Sequence, residues 1–163
     1  MTRILVILLL FPIIGFSQSI SKRTNINWLE ISKAETLSAK YNKNMLLFFF
    51  RDNCDFCEKM KNQTFTDPSV IELINNNFFP VMINGKSKDP IIYNKKEFIN
   101  DKPNPEDNPY FHNLFKELVE LKNENYYWPT IVIVNGKHKK IIQGSGFWPK
   151  EQLLRNLRGI ISN

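Results

Sequence analysis

Cys54 and Cys57 are the chain's 2 cysteines, separated by Asp55 and Phe56. A pair so spaced can staple a helix turn, supply half of a zinc site, or exchange disulfides with another molecule. Its setting favours exchange. Residues 45–60 read MLLFFFRDNCDFCEKM, an apolar run without polar alternation, which suits a strand buried on both faces, and then a pattern that suits a helix. The cysteines fall where strand gives way to helix. There the unpaired N–H groups and positive dipole end of the helix favour thiolate over thiol, lowering the Cys54 pKa from a free value of about 8.5. Cys54 is the predicted nucleophile and Cys57, one turn on, its resolving partner.

The competing chemistries are weaker. A staple across two intervening residues closes a tiny loop and removes little unfolded-state entropy. Zinc needs further ligands, and the only histidines are His112, read as a surface residue, and His138 in a hairpin. No metal and no cofactor are therefore expected. Nucleic acid is not an expected partner either: the formal net charge is +6, but the lysines are scattered among Asn and Ile without a basic run.

At 163 residues, 42% hydrophobic and 13% aromatic, the chain is long and apolar enough for one folded domain. Residues 1–17 carry Arg3, an apolar block from Ile4 to Phe16, and small residues Gly15 and Ser17. This pattern predicts a secretory signal cleaved after Ser17, leaving residues 18–163 as the mature domain, periplasmic or secreted. The block is shorter than the roughly 20 apolar residues a bilayer span takes. Membrane contact is expected only through an uncleaved signal, the alternative reading.

Several elements must position the cysteines. Trp28, Ile31, Ala34, Leu37 and Tyr41 recur at helical spacing and predict a helix over 27–42 before the strand at Met45. The cysteine helix is expected to reach about Gln63. Asp67 then caps a second helix with Pro68 at its first position. Residues 78–83 read as a buried strand in which Pro80 demands an edge. Residues 85–109, broken by Pro90, Pro103, Pro105 and Pro109, predict an irregular excursion. A helix follows over 110–122, with Phe111, Leu114, Phe115, Leu118 and Leu121 in one stripe, completing an insert of about 85–125. Residues 128–134, Asn135-Gly136 and residues 139–143 predict a hairpin, and Pro149 opens a last helix with Leu153, Leu154, Leu157 and Ile160 inward.

CDFC at 54–57, WPT at 128–130 and this order of elements resemble the thioredoxin-like superfamily. Within it, KNMLLFFFRDNCDFCEKMKNQTFTDPSVIELINNNFFPV resembles the branch containing the C-terminal periplasmic domain of the transmembrane reductase DsbD. The similarity covers 44–81 and 128–160. It implies an α/β three-layer fold with a central mixed sheet flanked by helices and a helical insert before the cis-proline strand. It also implies a cis Trp128-Pro129 bond that brings the Trp128 backbone beside Cys54, with Trp128, Pro129 and Thr130 binding substrate as an added strand. The expected activity is thiol–disulfide exchange on protein or peptide disulfides, by a monomer served by a thiol redox partner.

Two departures stand out. Phe48 replaces the family's buried acid six positions before the first cysteine, and Asn53 replaces the tryptophan just before it. Asp55 opposes thiolate formation while Arg51, Lys59 and Lys61 favour it, and the balance points to a reductase or electron carrier rather than a strong oxidant. The alternative is a redox-slow binding module whose surface would be Tyr110, Phe111, Tyr126, Tyr127, Phe147 and Trp148.

Overall fold

The computed structural model describes residues 24–101 and 111–162. The predicted signal peptide therefore lies outside the described residues, as do Tyr110, Pro103, Pro105 and Pro109. Strand β1 (Met45–Phe50) is the centre of a four-stranded sheet. On one side it pairs in parallel with β2 (Phe79–Asn84); on the other it pairs antiparallel with β5 (Thr130–Val134), which pairs antiparallel with β6 (Lys140–Ser145). The sheet order is β2-β1-β5-β6.

A central strand has two faces to bury, which is why MLLFFF lacks polar alternation. Leu46 and Phe48 point with Ile131 and Ile133 into one core, against α3 (Pro68–Asn77) and α5 (Lys150–Ile161). Met45, Leu47 and Phe49 point with Val132 and Val134 into the other. That second core is closed by α1 (Ile31–Tyr41), by a small hairpin of β3 (Ile91–Tyr93) and β4 (Lys96–Phe98), and by α4 (Asn113–Leu118). The result is three layers, as expected.

Pro80 lies in β2, an edge strand of the sheet, where its missing N–H breaks no ladder on the open side. Its carbonyl accepts the Leu29 amide at 2.8 Å, and this contact explains a difference from expectation. Residues 27–30 run extended against that edge, so α1 begins at Ile31 rather than Asn27. Asp67 caps α3 as expected, accepting the Ser69 and Val70 amides, with Pro68 at the first position. Burial pushes the Asp67 carboxyl up, but the Lys150 ammonium at 3.1 Å and those two amides outweigh it and hold its pKa below the ordinary carboxylate value.

The insert differs most from expectation. Residues 91–98 form the β3–β4 hairpin, not an irregular excursion, and its turn residues Asn94 and Lys95 both take positive φ. Glu35 of α1 fastens it by accepting the Asn94 amide at 2.6 Å, and the same oxygen meets His138 Nε2 of the β5–β6 loop at 2.8 Å. The α4 helix is only 6 residues long, and Leu121 lies beyond it, 55% exposed. Asn123 and Glu124 turn the chain at positive φ, closing a bridge between Lys122 and Asn125 that ends the helical pattern. Asn135-Gly136 does sit between β5 and β6, but the loop runs on to Lys139. The Asn135 side chain accepts the Lys137 and Lys139 amides, and His138 takes the positive φ.

Candidate active site

After Phe50 the chain leaves β1 through Arg51, Asp52 and Asn53 before reaching Cys54. Asn53 takes φ 52°, a left-handed conformation that asparagine tolerates better than most side chains. The Arg51 guanidinium donates to the Asp52 and Asn53 carbonyls at 3.2 and 3.1 Å, and Asn84 Nδ2 of β2 donates to Asp52 Oδ2 at 2.9 Å. These bonds fix the loop that aims the cysteine.

Cys54 is the N-cap of α2 (Asp55–Lys59), in extended conformation, and its Sγ accepts the Cys57 amide at 3.2 Å. A sulfur so placed faces the unpaired amides of the first turn, the arrangement that stabilises a thiolate. The two sulfurs are joined as a disulfide. Cys54 keeps 6% of its surface open to solvent and Cys57 none.

The helix continues past Lys59 into a π-helical turn, Met60–Thr64, rather than as regular α-helix to Gln63. At its end the buried Thr64 hydroxyl donates to the Trp148 carbonyl at 2.9 Å, tying the cysteine helix to the approach of α5. Phe48 lies fully buried among aromatic rings, 4.8 Å from Phe65 edge to face, 6.3 Å from Phe50 and 6.1 Å from Trp28. The cations expected to draw toward a thiolate have other engagements. Lys61 pairs with Glu58 at 2.9 Å and lies over the Phe50 ring, Lys59 lies over Phe147, and Arg51 holds the loop carbonyls.

The Trp128-Pro129 bond is cis. Thr130, next in sequence, is paired with Phe49 of β1 and Ser145 of β6. The proline loop therefore stands at the end of the sheet from which β1 delivers Cys54. The Pro129 carbonyl accepts the Gly146 amide at 2.7 Å, and the buried Thr130 hydroxyl donates to the Tyr127 carbonyl at 2.7 Å. Among the described residues, neither the amide nor the carbonyl of Trp128 has a backbone partner. Thr130 thus braces the loop.

A family model for a thioredoxin-like domain matches residues 31–160. The chain belongs to the thioredoxin-like family. Its fold is similar to a thioredoxin from Thermus thermophilus, at 16% identity and TM-score 0.59, with 84% of this chain and 88% of that one covered. It is similar also to a DsbH oxidoreductase, at 15% identity and TM-score 0.55, covering 86% and 85%. The reduced C-terminal domain of Neisseria meningitidis DsbD matches at 16% identity and TM-score 0.51, covering 78% and 90%. At these identities the likeness is one of fold. No curated protein sequence matches.

In this thioredoxin-like frame the histidines have duties away from the cysteines. His112 is fully buried, not a surface residue: it caps α4, its Nδ1 accepting the Leu114 amide and its Nε2 meeting the Asp89 carbonyl at 3.1 Å. That geometry fixes the proton on Nε2. Sequence reasoning passed over it because histidine is not among the usual capping residues. Among the described residues, no group of three or more His, Cys, Asp or Glu is placed to hold a metal. Reasoning from sequence also missed Phe56, 59% exposed between the cysteines and 6.5 Å from Phe147. Its position inside the motif was the available signal.

Proposed function

We propose that this protein is an exported thiol–disulfide oxidoreductase that reduces protein or peptide disulfides or carries electrons between them. Cys54 thiolate attacks one sulfur of a substrate disulfide; the other substrate sulfur leaves as a thiolate and a mixed disulfide forms. Cys57, deprotonated, then attacks Cys54 Sγ, releasing the second substrate thiolate and leaving the Cys54–Cys57 disulfide. Two electrons pass to the substrate, and a thiol redox partner must return them. Trp128 binds the substrate as an added strand through its backbone, while Pro129 and Thr130 hold that backbone in place.

The observation that carries this reading is the asymmetry of the pair: Cys54 caps the helix and keeps 6% of its surface exposed, Cys57 keeps none, and both lie at the sheet end that bears the cis-proline loop. Export rests on the charged, apolar and small-residue pattern of residues 1–17. Among the described residues no helix is long and apolar enough to cross a membrane. Asp55 beside the thiolate, with the neighbouring cations engaged elsewhere, supports a reducing rather than strongly oxidising pair.

The binding-module alternative gains little support from its aromatic residues. Trp148 is core, and Phe111 and Tyr126 pack on each other and on Phe115. Insulin reduction decides between the two: activity in the wild type and none in Cys54→Ser supports exchange, and an inert wild type supports the module. Cys57→Ser should accumulate the mixed disulfide on Cys54, visible by non-reducing electrophoresis.

A further inference from the structure

The insert meets the Trp128 indole through two rings, Phe115 and, at 6.0 Å between centroids, Phe111. The Trp128 indole stacks on Phe115 of α4 with ring centroids 4.3 Å apart and planes 13° from parallel. Gly85, the residue just after β2, lies beside this stack, where the Cη2–Cζ3 edge of the indole meets the Phe115 ring. A Cβ at that position would meet Trp128 Cη2, come within 2.8 Å of Cζ3, and come within 3.1 Å of Phe115 Cδ2. Gly85 is itself anchored: its amide donates to the Phe50 carbonyl at 2.8 Å and its carbonyl accepts the His112 amide at 2.9 Å. Phe111 and Tyr126 close the aromatic group around Phe115, with Tyr126 5.0 Å from both phenylalanine rings. Phe115 in turn rests on Phe49 of β1 at 5.4 Å.

We propose that the insert positions the substrate-pairing backbone: Phe115, stacked on the Trp128 indole, and Gly85, against its edge, set where the Trp128 amide and carbonyl meet an incoming disulfide-bearing segment. The proposal rests on the thiol–disulfide reading above and gives the insert a role in that reaction. An indole stacked on Phe115 and abutted at its edge by Gly85 leaves the peptide unit attached to it little freedom, so the edge is formed before substrate arrives and less ordering is needed on docking. Phe115 and Gly85 are positioning residues, because neither reaches the sulfurs or the substrate.

This packing predicts a split between docking and sulfur chemistry. Phe115→Leu removes the stacked ring, and Gly85→Ala pushes a methyl group into the indole. Both should raise KM for a peptide disulfide by roughly five- to tenfold through misplacement of the docking edge. Both should leave kcat, the equilibrium with glutathione and the rate with a small aromatic disulfide, which needs no strand pairing, within about twofold of wild type. Leu118→Ala serves as the control, since it removes a buried α4 side chain that does not stack on Trp128. A purely structural role would make Leu118→Ala raise KM as much as Phe115→Leu does, and that result overturns the proposal. An unchanged KM in both Phe115→Leu and Gly85→Ala, or a parallel fall in the small-disulfide rate, overturns it too. A wild type that reduces the small disulfide and no peptide disulfide defeats the parent reading, and this inference falls with it.

Discussion

At Phe48 this chain departs most sharply from the pattern its motifs resemble, with an aromatic ring where a buried carboxyl is expected. The surroundings have adapted to the ring. Trp28, Phe50 and Phe65 line it, so a carboxylate there would find neither water nor a cation. Phe48→Glu should therefore lower unfolding free energy by at least about 3 kcal/mol, through lost packing plus an unpaired buried charge. Urea denaturation of the reduced protein measures this, and an unchanged midpoint would show that an acid is tolerated at the position. In the native chain, the proton on Cys57 must leave by a route other than a carboxyl at residue 48. Asp52 accepts the Asn84 amide through Oδ2, and Glu58 pairs with Lys61. The place of the pair at the start of a helix after a buried strand was legible in sequence, because two cysteines at that spacing follow an apolar run. The adaptation around Phe48 was not, because Trp28 and Phe65 approach it from segments distant in sequence.

Elements with a strong local cause were the ones sequence could reveal. A short unbroken apolar run suits a doubly buried strand, and Asp67-Pro68 starts a helix by its own hydrogen bonding and fixed φ. The elements that escaped depend on partners. The β3–β4 strands have 3 residues each and a turn of Asn94 and Lys95 without glycine, and α1 loses its first turn to a bond with Pro80. The α4 helix depends on His112, and that dependence gives a pH signature. Burial is the main cause that depresses the His112 pKa; the Asp89 bond opposes it, Lys116 adds to it and Asp101 opposes it. The folded chain thus holds a neutral ring where the unfolded chain binds a proton. Its contribution is fully present above the unfolded value of about 6.5 and is lost as pH falls below that value. Asparagine caps a helix without titrating, so the stability advantage of wild type over His112→Asn should shrink between about pH 6.5 and pH 5. Paired denaturation curves across that range test it. A constant difference would mean that the ring stays uncoupled from folding.

At the scale of the whole molecule, the question is whether the insert is an appendage on a complete thioredoxin-like domain or part of it. The two cores answer differently. The core under α3 and α5 is built without the insert, whereas Tyr93, Phe98, Leu114, Phe115, Leu118 and Val119 all cover the opposite face of the sheet, over Leu47, Phe49 and Val132. Burying six such side chains contributes on the order of 10 kcal/mol, at roughly 1.5–3 kcal/mol each. That is comparable with the whole stability of a typical domain, about 5–15 kcal/mol. Replacing residues 86–125 by a short Gly-Ser linker should therefore abolish cooperative unfolding, not merely remove a surface feature. The expected product has a broad or absent thermal transition, binds a hydrophobic dye and reacts with thiol reagents at both cysteines after reduction. A sharp transition in the shortened chain, with Cys57 still protected, would make the insert a dispensable cover and would leave α1 alone to close that face. For the predicted signal peptide the expectation is the opposite: removal of residues 1–17 should leave the transition where it was.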